Sequence, residues 1–248
     1  MKNFLRRFLI PLAVVGMLTA SASAAPLDNR KQGFGQGIET DGDNRPLGAV
    51  RFDEEYRKHD AYALSDDKSR ILLTFDQGYE NGWTEKILDT LKEKNVTAVF
   101  FLTGDYAKGQ TALVQRMIDE GHMLGNHGMT HASMPALSKD GCKNEITELH
   151  NFVLEKYGVE MQYIRPPCGE FSESTLAAAK ELGYKTIFWS FAYVDWLADR
   201  QPEPGAALEK LTGAAHGGAI YLLHSVSETN AKILGDAVDS LRAKGFIL

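Results

Sequence analysis

The sequence predicts an α/β fold, a (β/α) barrel of about seven parallel strands. Three observations carry this. From Ile71 onward, short apolar runs alternate with longer amphipathic stretches, the rhythm of strand-then-helix units that builds a parallel sheet. No GxGxxG or GxxxxGK[ST] stretch is present, so nothing marks an open nucleotide-binding sheet. Polar and titratable residues recur just beyond the apolar runs, where β/α barrels carry their chemistry.

The elements follow in order. Lys2, Arg6 and Arg7 precede an apolar stretch from Phe8 to Leu18, and Ala22-Ser23-Ala24 is a small-residue cleavage site. Residues 1–25 therefore read as an export signal peptide, too short in its apolar part for a membrane span. The expectation is an exported protein of the cell envelope or medium, with an uncleaved anchor as the alternative. Residues 26–68 begin rich in Gly, Asp, Asn and Pro and read as an irregular arm. Residues 69–248 read as the domain that carries the chemistry.

Within it, strand Ile71–Phe75 precedes a helix near Trp83–Lys94, whose Ile87, Leu88 and Leu91 share one face. Strand Thr97–Leu102 precedes a helix near Ala112–Glu120, stopped by Gly121. His122–Gly125 is a short strand, followed by a helix over Gly141–Tyr157. Strand Gln162–Arg165 leads to helix Glu173–Leu182, with Ser172 as N-cap and Gly183 beyond its end. Strand Lys185–Ser190 precedes a helix over Ala206–Thr212, strand Ala219–Leu223 precedes helix Ala231–Ala243, and Phe246–Leu248 reads as a last strand.

Composition narrows the function. A net charge of −6 leaves no basic excess to neutralise phosphates, which argues against nucleic acid as partner. Two cysteines, Cys142 and Cys168, make no disulfide scaffold. They are either one bridge or two free thiols.

Beyond the strands stand Asp76-Gln77, then Asn126-His127-Gly128-Met129-Thr130-His131, then Arg165-Pro166-Pro167-Cys168-Gly169, then Tyr193-Val194-Asp195-Trp196, then His224-Ser225. Asp, Gln and Gly after a strand also suit a plain turn. His127 and His131 are four apart, which on a helical turn puts two imidazoles on one face, suited to a divalent metal. Alone, such a pair reads as surface histidines; with Asp76 and Gln77 on the same rim it reads as ligands. HGMTH lacks the Glu of the zincin motif. Arg165 is presented rigidly by the prolines after it, either as a surface Arg at a strand stop or as the partner of a carboxylate. Asp195 either is a loop acid or orients His224, and His224 is otherwise a core histidine. His59, His122, His150 and His216 lack such company and read as structural or solvated.

TFDQG, HGMTH, RPPCG, YVDW and LLHS, in this order, resemble the motif set of the polysaccharide deacetylases of carbohydrate esterase family 4, the NodB-homology domain. The likeness spans roughly Arg70 to Leu248. It implies a distorted β/α barrel and metal-dependent removal of an acetyl group from a sugar polymer. Asp76 would be the general base, His127 and His131 metal ligands, Arg165 the brace of Asp76, and His224 the general acid set by Asp195. Trp196 and Tyr193 would line the sugar groove, and a backbone N–H near Tyr79 or Gly169 would meet the oxyanion. The implied cofactor is a divalent ion: Zn, Mn or Mg.

Gln77 departs from the pattern, since the family usually has a second Asp there as third ligand. A neutral amide binds a hard cation less tightly than a carboxylate. The branch acting on N-acetylmuramic acid of peptidoglycan, in the route to muramic δ-lactam of spore cortex, lacks that Asp and usually has Asn. Gly78-Tyr79-Glu80-Asn81-Gly82 and Gly169-Glu170-Phe171-Ser172-Glu173 resemble that branch, whereas Cys168 stands where it has Arg. The expected substrate is thus a peptidoglycan glycan strand, with an N-acetylmuramoyl-L-alanine amidase expected to remove its stem peptide first. The alternatives are a deacetylase of N-acetylglucosamine units and a glycan-binding pseudoenzyme. A glycoside hydrolase with paired carboxylates leaves the His pair without a task.

Overall fold

The computed structural model describes residues 27–248; the leader expected at 1–25 lies outside them. Nine strands and eight α-helices alternate along the described chain. The strands are β1 (Gln32–Gly33), β2 (Ala61–Tyr62), β3 (Ile71–Gln77), β4 (Val99–Leu102), β5 (Met123–Asn126), β6 (Tyr163–Ile164), β7 (Glu170–Phe171), β8 (Lys185–Ile187) and β9 (Ala219–His224). The helices are α1 (Leu47–Tyr56), α2 (Thr84–Glu93), α3 (Gly104–Gly109), α4 (Thr111–Asp119), α5 (Lys139–Tyr157), α6 (Glu173–Glu181), α7 (Pro204–Gly213) and α8 (Glu228–Ala243).

Seven strands form one parallel sheet in the order β2-β8-β6-β5-β4-β3-β9, curled into a half-barrel. Past β8 the chain swings toward the far edge, where Ser190 N–H donates to Ile220 O at 2.9 Å and Leu222 N–H donates to Phe191 O at 2.9 Å. This draws the two sides of the sheet together. The period of two along β3 sends Ile71, Leu73 and Phe75 into the main hydrophobic core. Thr74 and Asp76 point the other way, into the barrel.

The helices pack their apolar faces on the outer side of the sheet. α2 buries Ile87, Leu88 and Leu91, and α5 buries Cys142, Ile146, Leu149 and Val153. α5 starts at Ser138, whose side chain accepts from Gly141 N–H, and stops at Gly158, which takes the left-handed φ of 69°. Ser172 caps α6 as expected, in a reciprocal capping box with Thr175.

Several boundaries differ from the sequence reading. β4 begins at Val99 and β8 ends at Ile187, because the chain beyond Ile187 leaves its neighbour to reach β9. The C-terminal segment makes one parallel bridge, Arg70 to Ile247, rather than a strand. The short helix α3 was not anticipated.

The largest correction concerns the arm. Residues 27–68 contain α1, the two-residue β1, and β2 at the edge of the main sheet. The arm also builds a second core with Phe171, Phe188 and Trp189. Phe34 lies 4.9 Å from Phe52 and 5.1 Å from Trp189 between ring centroids, and Phe52 lies 4.6 Å from Phe188. The aromatics that do this are too widely spaced in the sequence to show a period. Cys142 is buried in α5 and Cys168 is exposed at a turn, both as free thiols, so the two do not form a bridge.

Phe52→Ala opens a hole in this second core. It is expected to lower stability by about 3–5 kcal/mol, read by urea unfolding.

Candidate active site

Every residue that the sequence singled out lies at or beyond the carboxyl end of its strand. Asp76 is near the end of β3, His127 and His131 follow β5, Arg165 follows β6, and His224 ends β9. Asp195 lies in the segment between β8 and α7. Strand pairing puts Asp76 directly beside His224.

Arg165 is fully buried and Asp76 nearly so. The Arg165 Nη1 donates to Asp76 Oδ1 at 2.7 Å and to Thr74 Oγ1 at 2.8 Å. Its Nε donates to Ile187 O at 3.1 Å, and its Nη2 donates to Phe188 O at 3.1 Å. The guanidinium also sits 4.3 Å from the centroid of the Phe101 ring. Gly125 lets that ring come close, since a Cβ there would stand 2.4 Å from the Phe101 edge. Burial alone would raise the Asp76 carboxyl, but Arg165, His127 and His224 outweigh it and hold the group below its ordinary range. Asp76 is therefore an anion, ready to accept a proton.

The His pair is brought together by a loop, not by the helical turn that the spacing suggested. Gly128 has a φ of 82° and His131 a φ of 58°, so the chain doubles back and the ring centroids stand 4.9 Å apart. Glu145 pins the loop by accepting from Thr130 N–H at 2.9 Å and Thr130 Oγ1 at 2.7 Å. His127 Nδ1–H donates to Arg165 O at 2.7 Å, which leaves Nε2 as a lone pair. That lone pair faces Asp76 Oδ2 at 3.5 Å. Burial pushes the His127 imidazole down to about 4 and lowers His131 as well, so both rings are neutral. His127 and His131 thus offer two neutral imidazoles of the kind that bind a divalent cation, while no three His, Cys, Asp or Glu side chains among the described residues are gathered into a metal-holding group.

Gln77 does not join them. It continues the outward side of β3, is fully buried, and its Nε2 donates to Ser225 Oγ. Its Oε1 has no hydrogen-bond partner among the described residues. The strand period puts successive side chains on opposite faces, so Asp76 and Gln77 part company despite being neighbours.

On the opposite wall, His224 Nδ1–H donates to Asp195 Oδ1 at 2.7 Å, and His224 N–H donates to Asp195 Oδ2 at 2.9 Å. Burial alone would lower the His224 imidazole, but the Asp195 hydrogen bond and charge, with Asp76, outweigh it and the opposing Arg165, and the group is raised. His224 Nε2 is left for the cleft. This cleft, of about 330 Å³, is lined by Asp76, Tyr79, His127, His131, Trp196 and His224 among others. Tyr79 and Trp196 form an exposed aromatic rim, tied by Tyr79 Oη donating to Trp196 O at 3.0 Å.

Two expected groove residues are placed elsewhere. Tyr193 is buried and its Oη donates to Asn230 Oδ1. Gly169 packs under Trp189 with a φ of 66°, and a Cβ there would stand 2.7 Å from the indole. Its N–H already donates to Pro166 O at 3.1 Å, so it is not free for an oxyanion. The Tyr79 N–H makes no hydrogen bond among the described residues and borders the cleft.

Glu80 was missed by sequence reasoning. Its Oε1 accepts from Asn81 N–H at 3.0 Å and Gly82 N–H at 2.6 Å, and its Oε2 accepts from Thr84 Oγ1 at 2.6 Å and Tyr106 Oη at 2.9 Å. It thereby shapes the loop that carries Tyr79. The signal was the Glu-x-x-x-Thr spacing into α2.

A family profile described as polysaccharide deacetylase matches residues 63–187. The chain belongs to that family. It is 40% identical over 229 residues to the peptidoglycan-N-acetylmuramic acid deacetylase PdaA of Bacillus subtilis, covering 92% of this chain and 86% of that one. A peptidoglycan-N-acetylglucosamine deacetylase of Bacillus cereus is 34% identical over 187 residues, covering 73% and 66%. The solved structure of B. subtilis PdaA, a family 4 carbohydrate esterase, superposes with a TM-score of 0.84 at 39% identity, over 89% of this chain and 95% of that one. The protein is thus a polysaccharide deacetylase, a hydrolase of amide bonds.

Two outcomes follow for the deacetylase site. His127→Ala is expected to weaken Zn²⁺ binding at least about tenfold, whereas Gln77→Ala leaves it within about twofold; calorimetric titration measures both. Asp195→Asn removes the charge that raises His224, which otherwise faces only Asp76, Arg165 and His131 as charged or titratable groups. The acid form of His224 then persists to a lower pH than in the wild type. The alkaline limb of kcat/KM is expected to move toward acid by about one pH unit or more.

Proposed function

We propose that the protein is an exported, metal-dependent de-N-acetylase of peptidoglycan. It removes acetyl from N-acetylmuramic acid on peptide-free strands, in the route to the muramic δ-lactam of spore cortex. One observation carries the chemistry: Asp76, braced by Arg165, and His224, hydrogen-bonded by Asp195, face the same cleft from paired strands. Amide hydrolysis needs both, a base for the attacking water and an acid for the departing amine.

Asp76 Oδ2 accepts the proton of the water, while Arg165 holds Oδ1 and keeps the carboxylate from rotating. The Tyr79 N–H is the backbone donor available to the developing oxyanion. His224 Nε2–H then protonates the leaving nitrogen, and Asp195 stabilises the charge on the ring until that moment. Tyr79 and Trp196 offer aromatic faces to the sugar. A divalent cation held by His127 and His131 supplies Lewis acidity toward the acetyl oxygen when bound.

The substrate is supported by the 40% identity to a deacetylase named for N-acetylmuramic acid and by the GYENG loop. The N-acetylglucosamine reading is supported by the 34% identity to a deacetylase named for that sugar. Acetate release from glycan strands with and without stem peptides separates them, assayed with EDTA and with Zn²⁺, Mn²⁺ or Mg²⁺. Expected is release from peptide-free strands alone, abolished by EDTA and by Asp76→Asn, with the free amine on muramic acid by mass spectrometry. Amine on glucosamine would replace the muramic assignment, and glycan binding without release under any metal would leave a pseudoenzyme.

A further inference from the structure

The acid–base reading assigns His224 and Asp195 but not what holds Asp195. Asp195 is fully buried and sits in an irregular segment, so no strand or helix ladder fixes its carboxylate. Its Oδ2 accepts from Asn230 Nδ2 at 2.6 Å, and the same amide nitrogen donates to His224 O at 3.2 Å. Asn230 is itself almost fully buried. It lies in the first turn of α8, and its N–H donates to the capping Ser227 Oγ at 3.0 Å. The helix end is thus satisfied without the Asn230 side chain, which is directed back toward the acid pair.

The orientation of this amide is determined chemically. A carboxylate only accepts, so the group of Asn230 that meets Asp195 must be the NH₂. The carbonyl then faces Tyr193, whose hydroxyl must donate. Burial raises the Tyr193 phenol above its ordinary value, so it keeps its proton and remains a donor at any working pH. If the amide turned over, its oxygen would meet the Asp195 carboxylate and its NH₂ would meet the Tyr193 hydroxyl.

We infer that Asn230, oriented by Tyr193, is a positioning residue that aligns Asp195 with the general acid His224. The chain Tyr193–Asn230–Asp195–His224 runs from the core to the cleft, and neither Tyr193 nor Asn230 borders the cleft. This explains why the tyrosine of the YVDW motif is buried instead of facing sugar. The inference deepens the deacetylase reading and rests on it for its catalytic consequence, but its structural part stands apart from turnover.

The test uses the purified protein and three variants: Asn230→Ala, Tyr193→Phe and the double variant. The first readout is the downfield imidazole N–H resonance of the Nδ1 proton of His224 in ¹⁵N-labelled protein, which needs no substrate. Expected is a clear signal in the wild type, its loss or broadening in Asn230→Ala, and an intermediate change in Tyr193→Phe. The second readout is turnover of acetylated glycan. Asn230→Ala is expected to lower kcat about tenfold to a hundredfold with KM within about twofold, the pattern of misplaced chemistry rather than lost binding. Tyr193→Phe is expected to cost about threefold to tenfold, and the double variant no more than Asn230→Ala alone, because both act through one carboxylate.

Tyr193→Phe removes a single atom and preserves the packing, so it decides the matter if Asn230→Ala does not fold. An unchanged His224 resonance, an unchanged kcat, or additive losses in the double variant would overturn the inference. Absence of turnover in the wild type would overturn the deacetylase reading instead, and leave the resonance test to judge the positioning role.

Discussion

A fully buried guanidinium is the constraint around which the site is arranged. Arg165 cannot shed its proton, so the fold must supply an anion and enough acceptors to replace its water. Asp76 supplies the anion. Thr74 and the carbonyls of Ile187 and Phe188 supply the rest. Each acceptor fixes something further: the inward side of β3, the point where β8 leaves its ladder, and the path of the chain toward β9. Arg165 also presents its own carbonyl to His127 and so selects the tautomer of that ring. One ion pair thus sets the Asp76 carboxylate, one imidazole and the sheet geometry between them.

The two halves of the site are tuned in opposite senses by the same means. Burial would neutralise both Asp76 and His224 if either were alone. A cation beside the first and an anion beside the second favour the charged form of each, the opposed tuning that an acid–base pair would need. Because β3 and β9 are adjacent and parallel, the strand register itself brings these opposed groups together.

The six central residues were legible because strand ends are predictable places. A short apolar run followed by a polar residue locates Asp76, Arg165 and His224 without knowledge of how the strands pair. What the linear pattern misjudged was direction. The alternation Leu72-Thr74-Asp76 against Leu73-Phe75-Gln77 was present in the sequence, and it already separated Gln77 from Asp76. Proximity in the motif concealed it. Tyr193 was misread for the same reason, since a tyrosine two residues from Asp195 can face either side of an irregular segment. The His pair was correctly paired on a mistaken geometry, because the spacing of four arises from positive φ values that only Gly128 announces. The arm carried no period at all. Its aromatics meet only after β7, β8 and α1 have been assembled, and such long-range contacts leave no local trace.

The turn at Cys168 has a practical consequence. The other thiol, Cys142, lies inside α5 with burial pushing it up to about 11, so it is shielded and protonated. Cys168 is exposed and three residues beyond Arg165. A maleimide dye or nitroxide added to the unmodified protein should therefore attach at one place, beside the segment that braces the Asp76 carboxylate. The native chain comes with a single reporter position for following glycan binding and release in real time.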